Sequence, residues 1–268
     1  MSRMLAYVAA EPLPVSHAVG KAVLAEFSDL ARLHADGWGT AWRDVATGRI
    51  CTAGSASAPV GGEEWSRALS AASTARMLYL RFASRGAPPA PENVQPFLRD
   101  DVAFQHNGVI APREDLMELL TVDGRRELRG STDSEAYFAT VRGAVRPSPG
   151  PHDSAAVARA VARVRARFAD ACLNAMILSD SALFIVHASG GRGAPLAAFA
   201  DRGFDSAALP KGHDETYNML RSTVSDAGAR IIATTGVDQE SWTALHAESV
   251  FAITSGGIER SPIGPQDQ

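Results

Sequence analysis

The chain has 268 residues, 46% apolar and 21% charged, close to globular averages, so it can bury enough surface to offset chain entropy without covalent staples. A formal charge of −4 gives no general electrostatic reason to bind nucleic acid or an anionic membrane. The two cysteines, Cys51 and Cys172, lie far apart with no CxxC or Cys/His spacing around them, which argues against a disulfide scaffold or a structural zinc.

"RMLAYVA" (Arg3 to Ala9) reads as a buried strand, and Val19, Val23, Leu24, Phe27, Leu30 and Ala31 recur as one face of a helix over Ser16 to Leu33. "GWGTAWRDVATGRICTAG" reads as a hairpin turning at Thr47-Gly48. A helix over Glu63 to Ala72 precedes the strand "RMLYLRFAS", a Pro-rich loop "RGAPPAPENVQPF" and the strand "VAFQHNGV". Helices are expected after Pro112 and after Thr132, where "DSE" supplies an acidic first turn. "RPSPGPHDS" reads as a surface connection before a helix over Ala155 to Ala169 and the strands "ACLNAMILS" and "ALFIVHAS". A long loop from Gly190 to Gly212, closing strands "RIIATTG" and "ESVFAITSGG", and an irregular tail after about Ile258 complete the chain. Strands interleaved with helix pairs, without regular βαβ alternation, give an α+β layered fold.

Four stretches carry chemistry together: "MSRMLAY", "HADGWG" (His34 to Gly39), "LRFASRG" with "QHNGVI", and "GSTDSE" (Gly130 to Glu135). In this order they resemble the class II glutamine amidotransferase family of N-terminal-nucleophile hydrolases. The nearest likeness is to the standalone branch that includes the γ-glutamyl amidase of ergothioneine biosynthesis. The resemblance is strongest up to about Val141, with "YNMLRS" and "ESWTALHAESVFAI" looser. It implies a four-layer αββα sandwich, a single amidotransferase-like domain over residues 1–268, and hydrolysis of glutamine or a γ-glutamyl amide.

An amide carbonyl resists attack, so such a site needs a nucleophile, a base near neutral pKa and donors for the oxyanion. The resemblance assigns the nucleophile to Ser2, whose own α-amino group, titrating at roughly 7.7–8.0 once Met1 is removed, serves as base. It assigns Asn107 and Gly108 to the oxyanion, Arg81 to the substrate carboxylate, Asp133 to its ammonium, and Gly37 and Trp38 to a close-approach loop. Read alone, Asn107-Gly108 is a turn, Arg81 a solvated strand arginine, Asp133 a helix-capping carboxylate and Trp38 a core residue.

Four positions depart from the family pattern: Ser2 replaces cysteine, Tyr79 replaces a histidine two residues before Arg81, and "ENVQPF" replaces "ENTHPF" at Val94 and Gln95. A hydroxyl is less acidic than a thiol, so Ser2 depends more on its amine. The expectation is therefore a glutamine or γ-glutamyl amidohydrolase, freestanding or the glutaminase subunit of a partner synthase. The alternative is a catalytically impaired relative that binds a glutamyl ligand or a protein partner. With no zinc, Walker, Rossmann or GxSxG motif, no metal or cofactor is expected. Lacking a basic leader and any run of about twenty apolar residues, the chain is expected to avoid membranes and nucleic acid and to reside in the cytoplasm.

Overall fold

The computed structural model describes residues 2–58, 62–84, 89–145 and 153–264. The elements begin with β1 (Arg3–Leu13), α1 (Val15–Ala18), α2 (Lys21–Asp29), β2 (Trp38–Arg43), β3 (Ile50–Ser55), α3 (Glu63–Ser70) and β4 (Ser73–Leu80). There follow β5 (Phe97–Arg99), β6 (Val102–Asn107), α4 (Arg113–Glu118), α5 (Val122–Arg126), α6 (Asp133–Val141) and α7 (Ser154–Arg167). The last part holds β7 (Asn174–Leu178), β8 (Leu183–His187), α8 (Leu196–Ala200), β9 (Leu220–Val224), β10 (Arg230–Thr234), β11 (Thr243–Ala244), β12 (Ser249–Thr254) and β13 (Gly257–Pro262).

Two antiparallel sheets result, one ordered β11-β9-β10-β1-β4-β2-β3 and the other β13-β12-β8-β7-β6-β5. Alternation along β1 shows how they stack. Successive side chains of a strand face opposite ways, and here Met4, Ala6 and Val8 pack against Met176, Leu178 and Ile185 of the second sheet. Leu5, Tyr7 and Ala9 instead join Phe27 of α2 and Trp65 of α3. A third core covers the far face of the second sheet, where Phe104 and Ile177 meet Tyr137 and Phe138 of α6 and Val157 and Val161 of α7. Each sheet thus has one face on the other sheet and one under helices, an αββα sandwich as the sequence led one to expect.

Differences from the sequence reading have local causes. The helix expected over Ser16 to Leu33 is broken in two at Gly20, which adopts φ +84° and starts α2 afresh. The tail expected to be irregular beyond Ile258 instead forms β13, turned back on β12 through Ser255-Gly256. That strand is at a sheet edge with most of its residues exposed, so it carries no apolar alternation to betray it. β9 lies inside its sheet, between β11 and β10, but carries no strand signal either, because its "LRSTV" mixes polar residues with apolar ones. Most of the "RPSPGPHDS" connection, and residues 85–88 of the Pro-rich loop, lie outside the described residues.

Candidate active site

Ser2 continues the even series of β1 and so faces the second sheet, at the end of the seam between the two. Its main-chain nitrogen donates to Asn107 Oδ1 at 2.7 Å. Its Oγ lies 2.6 Å from the Tyr79 hydroxyl and accepts from Phe82 N–H at 3.2 Å. The residue is only 3% exposed. Below it, the fully buried Arg3 ties the turn together, donating to the Ser2 carbonyl at 2.7 Å and to the carbonyls of Tyr217 and Thr235. The Arg3 guanidinium also lies 3.5 Å from the centre of the Tyr217 ring, so π-electrons and carbonyl dipoles offset a charge whose pKa burial lowers.

Asn107 ends β6, on the same face as Ala103, and is fully buried. With Oδ1 on the Ser2 nitrogen, its Nδ2 donates to Asn218 Oδ1 at 3.1 Å, and Asn218 is held in turn by Asn174 Nδ2. Gly108 sits where a side chain has no room, since a Cβ there would fall 1.9 Å from the Cys172 carbonyl oxygen. Thr132 caps α6 by accepting from Glu135 N–H, which leaves Asp133 at the first helical position. Its Oδ2 accepts from Ile110 N–H at 2.6 Å, fastening the loop after Gly108 to the helix.

Arg81 follows β4 directly and is 5% exposed. Its main chain pairs with the 36–37 loop, Arg81 N–H donating to the Gly37 carbonyl and Asp36 N–H to the Arg81 carbonyl. Gly37 adopts φ +133°, with the Ser55 carbonyl 2.6 Å from where a Cβ would stand. The Asp36 carboxylate accepts from Ala83 N–H at 2.6 Å and pairs with Arg202. "HADGWG" therefore fastens the segment carrying Arg81 and Phe82. Trp38 does not join Ser2: it pairs with Leu80 and packs edge-on to Trp65 under the helices, on the opposite face of the first sheet.

Two residues without an assigned role complete the site. Tyr79 is paired with Met4 across β1 and β4, which brings its phenol to the Ser2 side. Gln95 Nε2 donates to the Tyr79 oxygen at 2.9 Å, while Gln95 Oε1 accepts from His106 N–H at 2.6 Å. Burial pushes the Tyr79 phenol up to about 12, against the opposing pull of its bond to Ser2 and of the Arg81 charge, with the Asp133 carboxylate adding to the rise. The phenol oxygen itself touches Ser2 Oγ, the His106 carbonyl and Gln95 Nε2. The sequence marked Tyr79 and Gln95 as departures, but their contact with Ser2 depends on strand register.

His106 is buried behind Asn107, its Nε2 2.9 Å from the Cys172 carbonyl and its Nδ1 2.9 Å from Ser134 Oγ. A carbonyl only accepts, so Nε2 carries the proton and Nδ1 accepts from the hydroxyl. Burial is the largest cause holding His34, His106, His187 and His213 below the ordinary imidazole value, His213 down to about 3. Above about pH 6.5 both folded and unfolded chains leave these groups neutral; below it the unfolded chain takes up more protons. Stability is therefore expected to fall as pH drops through that value, by up to about 1.4 kcal/mol per pH unit for each group. A urea midpoint that stays constant from about pH 7.5 to about pH 5.5 would contradict this.

Among the described residues no helix is long and apolar enough to cross a membrane, and no group of three or more His, Cys, Asp or Glu is placed to hold a metal ion. The profile of the class II glutamine amidotransferases matches residues 1–267, and the chain belongs to that family. No curated protein sequence matches it. Among solved structures it is similar to a glutamine aminotransferase class-II domain protein from Silicibacter pomeroyi. That likeness has TM-score 0.64 and 18% identity, covering 98% of this chain and 100% of the other. A predicted glutamine amidotransferase from Pseudomonas aeruginosa follows at TM-score 0.51 and 17% identity, over 96% and 98% of the two chains. Glutamine phosphoribosylpyrophosphate amidotransferase from B. subtilis has TM-score 0.59 and 13% identity, and this chain, 98% covered, spans 50% of it. At such identities the likeness establishes the fold, which is that of the N-terminal-nucleophile hydrolases.

Proposed function

We propose that the chain hydrolyses the side-chain amide of glutamine or a γ-glutamyl amide, with Ser2 as the nucleophile once Met1 is removed. The observation that carries this reading is the 2.7 Å bond from the Ser2 nitrogen to Asn107 Oδ1. It holds the future α-amine in a fixed place beside its own hydroxyl, as a base on the same residue requires. In acylation the Ser2 Oγ–carbon bond forms and the carbon–nitrogen bond breaks. The serine proton passes to the α-amine and from there to the leaving nitrogen. Water then attacks the ester, delivers a proton to the amine, and Oγ leaves and recovers it. Asn107 Nδ2 carries two N–H groups and commits one to Asn218, leaving the other for the oxyanion together with Gly108 N–H. Arg81 would pair with the substrate carboxylate and Asp133 with its ammonium.

A short γ-glutamyl conjugate suits a freestanding, cytoplasmic hydrolase, in keeping with the standalone amidases it resembles; supplying ammonia to a synthase subunit is the other form of the same chemistry. One observation favours a catalytically impaired binder instead: Ser2 Oγ is already engaged by Tyr79 and Phe82 and is almost fully buried. Intact-mass measurement before and after incubation with a γ-diazoketone analogue of glutamine tests both readings. Loss of Met1 and covalent labelling at Ser2 are expected for the hydrolase. A Met1-free chain that stays unlabelled, yet gains glutaminase activity on Ser2→Cys, would establish the binder.

A further inference from the structure

We propose that Tyr79 is a catalytic residue of this chain, an uncharged donor that, with Phe82 N–H, holds the negative charge on Ser2 Oγ as its proton leaves; this rests on Ser2 being the nucleophile. The direction of the bond follows from its neighbours. His106 N–H can only donate, so the Gln95 oxygen is pinned to it at 2.6 Å and the Gln95 amide nitrogen must face Tyr79. That N–H occupies a lone pair of the phenol oxygen and leaves the phenol its own proton to give. Two acceptors are in reach, Ser2 Oγ at 2.6 Å and the His106 carbonyl at 3.3 Å. The nearer one wins outright once Oγ becomes negative, because charge-assisted bonds are the shorter and stronger kind.

The consequence concerns the serine proton. With both Tyr79 and Phe82 N–H donating to Oγ, the hydrogen of Ser2 is directed away from them, which frees it for the residue's own nitrogen. The phenol gives up no proton at any step; it lowers the cost of an alkoxide on attack and again when Oγ leaves the ester. A phenol is protonated at neutral pH to begin with, and burial raises its pKa further, so it is always a donor. A thiol needs this help less, since it ionises far more readily than a hydroxyl.

The test is a cycle of Tyr79→Phe, Ser2→Cys and the double variant. It reads kcat, KM for glutamine or γ-glutamyl-p-nitroanilide, and the rate of labelling by the γ-diazoketone. Tyr79→Phe is expected to lower kcat and labelling by about 10²-fold with KM unchanged, as loss of one charge-stabilising donor does. In the Ser2→Cys background the same change is expected to cost less than about fivefold, since the thiolate needs less help. Equal losses in both backgrounds would overturn the proposal, as would an unimpaired Tyr79→Phe. A Met1-free parent that never labels at Ser2 would overturn the nucleophile reading itself. Gln95→Glu guards against a folding artefact, because it keeps an acceptor for His106 N–H but offers the phenol a carboxylate. It is expected to reproduce the loss by turning the Tyr79 proton away from Ser2, and unchanged kinetics would count against the proposal.

Discussion

Ser2→Ala is expected to lower turnover by about 10⁴-fold or more, the size of loss seen when the nucleophile of an acyl-transfer enzyme is removed. The fold should survive. The methyl fits where Cβ already stands, and the main-chain bonds from Ser2 to Asn107 and from Arg3 to the Ser2 carbonyl do not involve the hydroxyl. Tyr79 can turn to the His106 carbonyl, 3.3 Å away, while Phe82 N–H loses its acceptor, a cost of about 1–3 kcal/mol for a buried group. Hydrolysis assays on matched, Met1-free samples, with urea unfolding alongside, check both halves. Turnover undiminished in Ser2→Ala would dispose of the nucleophile.

Gly108→Ala is expected to damage stability and chemistry together. The added Cβ would stand 1.9 Å from the Cys172 carbonyl oxygen and 2.5 Å from His106 Nε2, so a backbone must shift. Neither side can move freely. The Cys172 carbonyl is bonded to His106, the Cys172 thiol donates to the Asn107 carbonyl, and Asp133 holds Ile110 two residues on. Overpacking of this kind costs about 1–3 kcal/mol, occasionally more. A displaced Gly108 N–H would also forfeit the proposed oxyanion donor, about 10²–10³ in kcat. Gly143→Ala serves as the control, because nothing lies within 4 Å of its Cβ position and it sits in a helical turn, so it should raise stability by about 0.4–1 kcal/mol and leave kcat unchanged. Equal effects of the two substitutions would show that the contact with Cys172 does not matter.

How far this could be read in the sequence varied with the reach of the interaction. The β2–β3 hairpin was legible because Thr47-Gly48 and the flanking alternation are local signals, and its register runs from Trp38↔Ser55 to Arg43↔Ile50. The start of α6 was legible in the acidic first turn after Thr132, although the cap is the Thr132 hydroxyl and Asp133 Oδ2 accepts from Ile110 N–H. Ser2 and Asn107 were brought to one place by a family resemblance, since nothing local links residues 105 positions apart. Tyr79 and Gln95 stood out only as unusual letters, because their meaning needed the β1–β4 register and the return of the Pro-rich loop. Trp38 went to the core because its strand position put it on the other face from Ser2. Asn218, which supports Asn107, lies in "YNMLRS", where only a loose likeness drew attention.

Ser2, the proposed nucleophile, continues a strand of one sheet, and the asparagine that grips its nitrogen ends a strand of the other, with the core of Met4, Met176 and their neighbours between the sheets. For the proposed reaction, competence therefore depends on the two sheets being docked in the right place, and not only on each being formed. A collapsed intermediate with both sheets formed but sliding on each other would hold every reactive group and still be inert. On the proposed reading, a newly made chain would be unable to attack amides until its two sheets had locked together.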